Sequence, residues 1–155
     1  MKIFGGFKEG IRTNEMLRYN FSTNRWSPVI IDKNSPQPRG RSSHCACMYQ
    51  GQMYIFGGKD EDHEKLNDMW RFDFQTETWQ EIIPESDDQP TRRSGASCDV
   101  YGDKMVLFGG IYEITKELND MWTYDFGLNK WTQIEGESAS PKKMATFGQG
   151  GSFTN

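Results

Sequence analysis

Between Met69 and Phe74 the chain alternates: Trp70, Phe72 and Phe74 fall on one side of an extended backbone, and Met69, Arg71 and Asp73 on the other. That is the period-two pattern of a half-buried strand. Upstream, SSHCACMYQGQMYIFGG (42–58) reads as two strands about a tight QGQ turn. Downstream, TWQEI (78–82) is a further strand, joined to the third by a short hairpin turn through Gln75-Thr76-Glu77. No window carries a helical period with caps. The pattern predicts four short antiparallel strands per unit, and an all-β protein.

The unit repeats. LNDMW stands at 66–70 and again at 118–122, fifty-two positions on. At the same step Phe56-Gly57-Gly58 recurs as Phe108-Gly109-Gly110, Trp79 as Trp131, Tyr49 and Met53 as Tyr101 and Met105, and Arg41-Ser42 as Arg93-Ser94. A weaker copy begins at Phe4-Gly5-Gly6, with TNEML in the place of LNDMW and Trp26 in the place of Trp79. A period near fifty residues signals stacked units that cannot bury their apolar faces alone, and four strands at that period fit one blade of a β-propeller.

Hydrophobic residues make up only 35% of the chain, yet aromatics reach 14%. Disordered chains are poor in aromatics, so the balance fits a folded protein of short, half-exposed elements with an aromatic core. A net charge of −4 argues against a general nucleic-acid surface, which would be basic. No apolar run approaches the roughly 20 residues a membrane helix needs, and no leader peptide is recognisable. Three scattered cysteines, Cys45, Cys47 and Cys98, are too few for a disulfide framework and read as free thiols in a reducing compartment. The expected location is the cytoplasm.

The residues that repeat resemble the kelch family over nearly the whole chain. YIFGG (54–58) and VLFGG (106–110) are each followed by an aromatic-Asp pair, Phe72-Asp73 and Tyr124-Asp125, and then by Trp79 and Trp131. The first copy shows KIFGG (2–6), Tyr19-Asn20 and Trp26. The longer unit and its LNDMW wording look most like the repeats of leucine-zipper-like regulators and tip-elongation kelch proteins. The resemblance implies a kelch-type β-propeller segment of about three four-stranded antiparallel blades, half of a six-bladed propeller. Repeat one spans 2–31 and lacks its innermost strand; repeat two spans 38–83 and repeat three 90–135. A further blade is expected to begin within 141–155. In such a fold the glycine pairs Gly5-Gly6, Gly57-Gly58 and Gly109-Gly110 end the second strand of each blade where a side chain would crowd a neighbouring backbone. Tyr19, Phe72, Tyr124, Trp26, Trp79 and Trp131 fill the wedges between blades. Asp68 and Asp120 are expected to accept backbone N–H bonds at a loop-to-strand junction.

Strand alternation puts the loops between second and third strands on the same face as those joining successive blades. These are the long, irregular segments, among them KDEDHEK (59–65), IYEITKE (111–117) and PESDDQPTRR (84–93), and function on such scaffolds usually sits on long loops. Each inter-blade loop ends in cations: Arg39 and Arg41, Arg92 and Arg93, Lys142 and Lys143. They are expected to converge at the channel mouth, with Asp60, Glu61, Asp62, Asp87 and Asp88 further out. Arginine forks grip carboxylates bidentately, and Ser42 and Ser94 would add hydroxyl donors; in some kelch proteins such residues hold acidic peptide motifs. The competing expectation is that Arg41 and Arg93 pair with acids of neighbouring blades.

Catalytic chemistry is not indicated. Some kelch-type propellers are copper or iron enzymes, but such a site needs several converging ligands, and here His44 points away from the thiols while His63 sits in an acidic loop. Zinc spacings, phosphate loops and nucleophile elbows are missing from the sequence. The expected function is therefore a non-enzymatic protein-interaction module without metal or cofactor, recognising an acidic segment of another protein. The alternatives are scaffold blades of a larger assembly without a defined pocket and, less favoured, a kelch-type enzyme. Neither nucleic acid nor membrane is an expected partner. The remaining blades of a longer chain, or a second copy, would complete the ring.

Overall fold

A computed structural model describes residues 1–114 and 116–135. The first repeat contains β1 (Lys2–Phe4), the short pair β2 (Phe7–Lys8) and β3 (Ile11–Arg12), then β4 (Met16–Asn20) and β5 (Arg25–Pro28). The second contains β6 (Arg41–Ser42), β7 (Cys45–Tyr49), β8 (Gln52–Asp60), β9 (Lys65–Asp73) and β10 (Thr78–Ile82). The third contains β11 (Ser97–Tyr101), β12 (Lys104–Glu113), β13 (Lys116–Asp125) and β14 (Lys130–Ile134). Pairing is antiparallel throughout, in the orders β1-β4-β5, β7-β8-β9-β10 and β11-β12-β13-β14, with β6 on the far end of β8 and β2-β3 a separate ribbon. The chain is a β-propeller segment. The further strand expected within 141–155 lies outside the described residues. No helix occurs among the described residues, so none is long and apolar enough to cross a membrane.

The repeat in sequence is a repeat in register. Met53 pairs with Phe72 and Phe72 with Trp79, as Met105 pairs with Tyr124 and Tyr124 with Trp131. Strand alternation then sends the large residues of each blade into one of two cores, each lying between blades. Between the first and second sheets, Phe4, Met16 and Val29 meet Ile55, Trp70, Phe72 and Trp79. Between the second and third, Tyr54, Phe56 and Met69 meet Leu107, Trp122, Tyr124 and Trp131. Each tryptophan stacks edgewise on the phenylalanine of the preceding blade's glycine signature. Trp79 lies 4.7 Å from Phe4 and Trp131 5.2 Å from Phe56, between ring centroids. Trp26 is 48% exposed and rests on its own Tyr19, because no sheet stands before the first one among the described residues.

The glycine pairs of the second and third repeats differ from the expectation that they end a strand, whereas Gly5-Gly6 directly follows the end of β1. β8 and β12 run on past their pairs to Asp60 and Glu113, so the segments 59–65 and 111–117 are in part hairpin extensions, while 84–93 holds no strand. What the pair makes is a bulge: the register shifts between Phe56 and Gly58, and Gly57 and Gly58 take φ of +64° and +101°. The kink lets the next blade's chain dock. A Cβ on Gly57 would stand 2.7 Å from the Arg93 carbonyl oxygen, and one on Gly5 2.7 Å from that of Arg41, distances no side chain tolerates.

Candidate binding face

The two arginines expected to greet a ligand are buried. Arg41 and Arg93 are 0% and 1% exposed. Nε of Arg93 donates to the Thr91 carbonyl at 2.9 Å, and its terminal nitrogens reach the Gly109 carbonyl at 2.9 Å, Thr91 Oγ1 at 3.3 Å, and both oxygens of Asp120 at 2.7 and 2.8 Å. All five guanidinium donors are thereby engaged. Arg41 repeats the arrangement on the Arg39 and Gly57 carbonyls and on both oxygens of Asp68, each at 2.7 Å. These side chains have nothing to offer a partner's carboxylate. The acid is also in the arginine's own blade, not a neighbour's.

The main chain of the same residues makes the joint to the preceding blade. Arg93 N–H donates to the Leu66 carbonyl at 2.9 Å, and its carbonyl accepts from Gly58 N–H at 2.9 Å. Arg41 does the same with Thr13 and Gly6, at 3.2 and 2.8 Å. Each arginine thus ties one blade through its backbone and the next through its side chain. The LNDMW repeat contributes three parts: the Leu66 carbonyl, the Asp68 carboxylate, and the Trp70 indole, which donates to Asp68 at 2.8 Å. Asp68 and Asp120, expected to accept backbone N–H bonds, accept chiefly from a guanidinium and an indole. Burial works to raise both carboxyls, but the hydrogen bonds and charge of Arg41 and Arg93, with the indoles, outweigh it and hold them below the usual carboxylate range. A signal for this was present in the sequence: arginine and aspartate recur twenty-seven positions apart in both repeats.

What remains on the loop face is Arg39, Arg92 and their surroundings. The Arg39 side chain is 65% exposed and covers Asp60 at 2.9 Å. Asp60, expected at the periphery, is only 3% exposed and also accepts Glu64 N–H at 2.9 Å. The Arg92 side chain is 55% exposed, with the equally open Glu64 at 3.6 Å. Its guanidinium stands 6.0 Å from the ring centre of Tyr112, and Lys116 Nζ 5.0 Å from the same ring. His63, Glu64, Lys65, Arg92, Tyr112, Glu113 and Ile114 line one open groove between the extended hairpins of the second and third blades. Ser42 Oγ accepts from Arg12 Nε at 3.0 Å, while Ser94 bridges by its backbone to Ile111. Lys142 and Lys143 lie outside the described residues. The sequence reading missed Tyr112 and Lys116, which only the register of the β12-β13 hairpin brings against Arg92.

The histidines have separate surroundings. His44 packs on Phe4 at 5.6 Å between the first two sheets, and burial, reinforced by Arg41, lowers its pKa to about 4, so it is neutral at pH 7. His63 does not stand free in its acidic loop; its Nδ1 lies 3.3 Å from Arg12 of the neighbouring hairpin.

Comparison with known proteins agrees with the architecture. The family model of the KLHDC2/KLHL20/DRC7 Kelch-repeats domain matches residues 1–149. The chain is 30% identical to the tRNA wybutosine-synthesizing protein 2/3/4 of Arabidopsis thaliana over 89% of its length, covering 13% of that protein. It is 30% identical to host cell factor of Drosophila melanogaster over 94%, covering 11% of that protein. With Kelch domain-containing protein 3 of Homo sapiens it shares 35% identity over 69%, covering 28% of that chain. It therefore spans less than a third of the length of each of these relatives. Shared repeats, shared register and the match over nearly its whole length place the chain in the kelch-repeat family.

Proposed function

We propose that the chain is a non-enzymatic protein-interaction module, and that its loop face takes an acidic segment of a partner protein. Kelch repeats generally mediate contacts between proteins, which supports the coarser statement. The observation that carries the finer one is the contrast between neighbours: Arg93 has every donor engaged inside the fold, whereas Arg92 is open, held over Tyr112, with a single exposed carboxylate at 3.6 Å. A guanidinium oriented on an aromatic face keeps its fork free for a carboxylate. Lys65 adds positive charge in the same groove and Lys116 stands over the Tyr112 ring, beside the carboxylates of Glu64 and Glu113. The wybutosine-synthesizing relative bears the name of an enzyme, but the chain matches only 13% of it. Further blades, of a longer chain or of a second copy, would cover the two outward sheet faces. We place this activity in the cytoplasm, with neither nucleic acid nor membrane as partner.

The test is titration of a labelled Asp/Glu-rich peptide. Charge reversal by Arg92→Glu should weaken binding at least about tenfold, mostly by raising the off-rate once the contact is desolvated. Affinity of the parent chain should fall steeply with salt, since exposed charges are screened beyond about 8 Å at physiological ionic strength. Binding that ignores Arg92 and salt but is lost on changing sheet residues such as Arg71 on β9 or Thr123 on β13 would instead establish the scaffold reading.

A further inference from the structure

Three thiols gather at the joint between the second and third blades, away from the loop face. Cys45 and Cys47 are two residues apart on β7 and point the same way, into the inter-blade core, where they are 7% and 8% exposed. Cys98 lies on β11, the adjacent innermost strand, and packs with Ala96 and Val100 against that same core. The repeat explains the meeting. Cys98 stands fifty-two positions after Ala46, the residue between the two cysteines, so its level on β11 falls midway between them. β7 and β11 pack side by side there, and interaction with the Cys45 and Cys47 thiols, together with burial, pushes the Cys98 thiol pKa up. All three are free. One thiol between two others on a strand makes a row, not a tripod, and among the described residues no three such groups are placed to hold a metal ion. The chemistry open to them is with each other.

We propose that this cluster is a redox modification site, in which Cys98 closes a reversible disulfide with Cys45 or Cys47 and staples blade two to blade three. With hydrogen peroxide as oxidant, the thiolate of Cys45 or Cys47 attacks one peroxide oxygen. A sulfur–oxygen bond forms, the O–O bond breaks, and the departing hydroxide leaves as water with the thiol's proton. Cys98 is the resolving thiol: its sulfur gives up its proton as it displaces the sulfenic oxygen, the S–O bond breaks, and that oxygen leaves as a second water with the Cys98 proton. Two thiols are oxidised to one disulfide while one peroxide is reduced to two waters. The third thiol stays beside the new bond and can exchange into it without net redox change. An external thiol resets the pair, as a regulatory bond in a reducing compartment requires.

Graded peroxide on the native chain, alkylation of remaining thiols, and peptide mapping without reduction test the site. The expected product is an intramolecular link between the peptide carrying Cys98 and the one carrying Cys45 and Cys47. Dithiothreitol should remove it, and the oxidised form alone should melt at a higher temperature. Cys98→Ala should lose both the link and the shift, whereas Cys45→Ala and Cys47→Ala singly should each keep a link. Melting curves of the reduced variants show whether a lost link reflects a lost fold; if Cys98→Ala unfolds, the Cys45→Ala, Cys47→Ala double variant must lose the link instead. Links only between chains, a link that persists without Cys98, or oxidation straight to sulfinic acid would overturn the proposal.

Discussion

Arg93 grips Asp120 with both ends of its guanidinium, at 2.7 and 2.8 Å, from a position that is 1% exposed. Removing the acid leaves a buried charge unanswered, and such losses cost about 3–5 kcal/mol. Asp120→Ala should fall near the lower end, because the carboxylate is itself 21% exposed. A urea titration of Asp120→Ala beside Arg92→Ala measures the difference; the exposed arginine should stay within about 0.5 kcal/mol of the parent chain. Replacing Arg93 and Asp120 together by apolar residues of similar volume should cost less than Asp120→Ala alone.

The same pairs set the response to acid, in two windows. Asp68 and Asp120 have folded pKa values below their unfolded ones. Their contribution is therefore complete above the unfolded value of about 3.9 and is lost as pH falls through the folded values. His44 acts earlier. Its pKa drops from 6.5 to about 4, so between those values the unfolded chain binds the proton and the folded chain does not. Stability falls as pH falls across that interval, by roughly 3 kcal/mol in total, and levels off below it. Ala96 stands at the equivalent position of the next blade. His44→Ala should flatten the stability curve between pH 6.5 and 4 while leaving the carboxylate-driven loss below it, as followed by urea midpoints across pH.

The parts legible in the sequence are those whose meaning does not depend on a distant partner. Alternation around Phe72 and the step from Trp79 to Trp131 both state burial by themselves, and the structure buries all three. The role of Arg41 was not legible from its own surroundings. A cation at the start of an innermost strand looks the same whether it faces solvent or an internal acid, and the deciding residue, Asp68, lies two strands away. The hairpin extensions were hidden for another reason. KDEDHEK has loop composition, and its strand character comes from continued pairing beyond the Gly57 bulge, with Lys59 opposite Lys65.

That bulge yields a sharp contrast between glycines. Gly57 and Gly51 both have positive φ, but a Cβ on Gly57 would meet the carbonyl oxygens of Arg93 at 2.7 Å and Leu66 at 3.0 Å, while one on Gly51 would meet nothing within 4 Å. Gly51→Ala carries only the backbone strain, about 1 kcal/mol. Gly57→Ala carries that strain and also forces the two blades apart, so it should lose at least about 2 kcal/mol more. Thermal or denaturant melts of the two variants, side by side, decide it.

The last contrast lies between tryptophans at matching positions. Trp79 is 4% exposed against Phe4, and Trp79→Ala should cost roughly 3–5 kcal/mol, the range for truncating a buried large aromatic. Trp26 is 48% exposed, so in a monomer of this chain Trp26→Ala should cost under about 1 kcal/mol. The opposite outward face tells the same story from the other side. Met121 is 38% exposed where its counterpart Met69 is 1% exposed, and Phe108 stands at the position from which Phe56 receives Trp131. Trp26 and Phe108 are thus the two halves of one joint that the chain builds twice internally, from Phe4 with Trp79 and from Phe56 with Trp131. Any kelch blade set against either face, from a longer chain or a second copy, has its contacts already specified, and burying Trp26 should then make Trp26→Ala as costly as Trp79→Ala. Light scattering with tryptophan quenching over a concentration series checks this. Association should raise the mass above 17.9 kDa and shield one tryptophan from quencher, and Trp26→Ala should abolish both changes. A monomer that stays soluble and unfolds cooperatively at every concentration would show that three sheets hold together without a partner on either face.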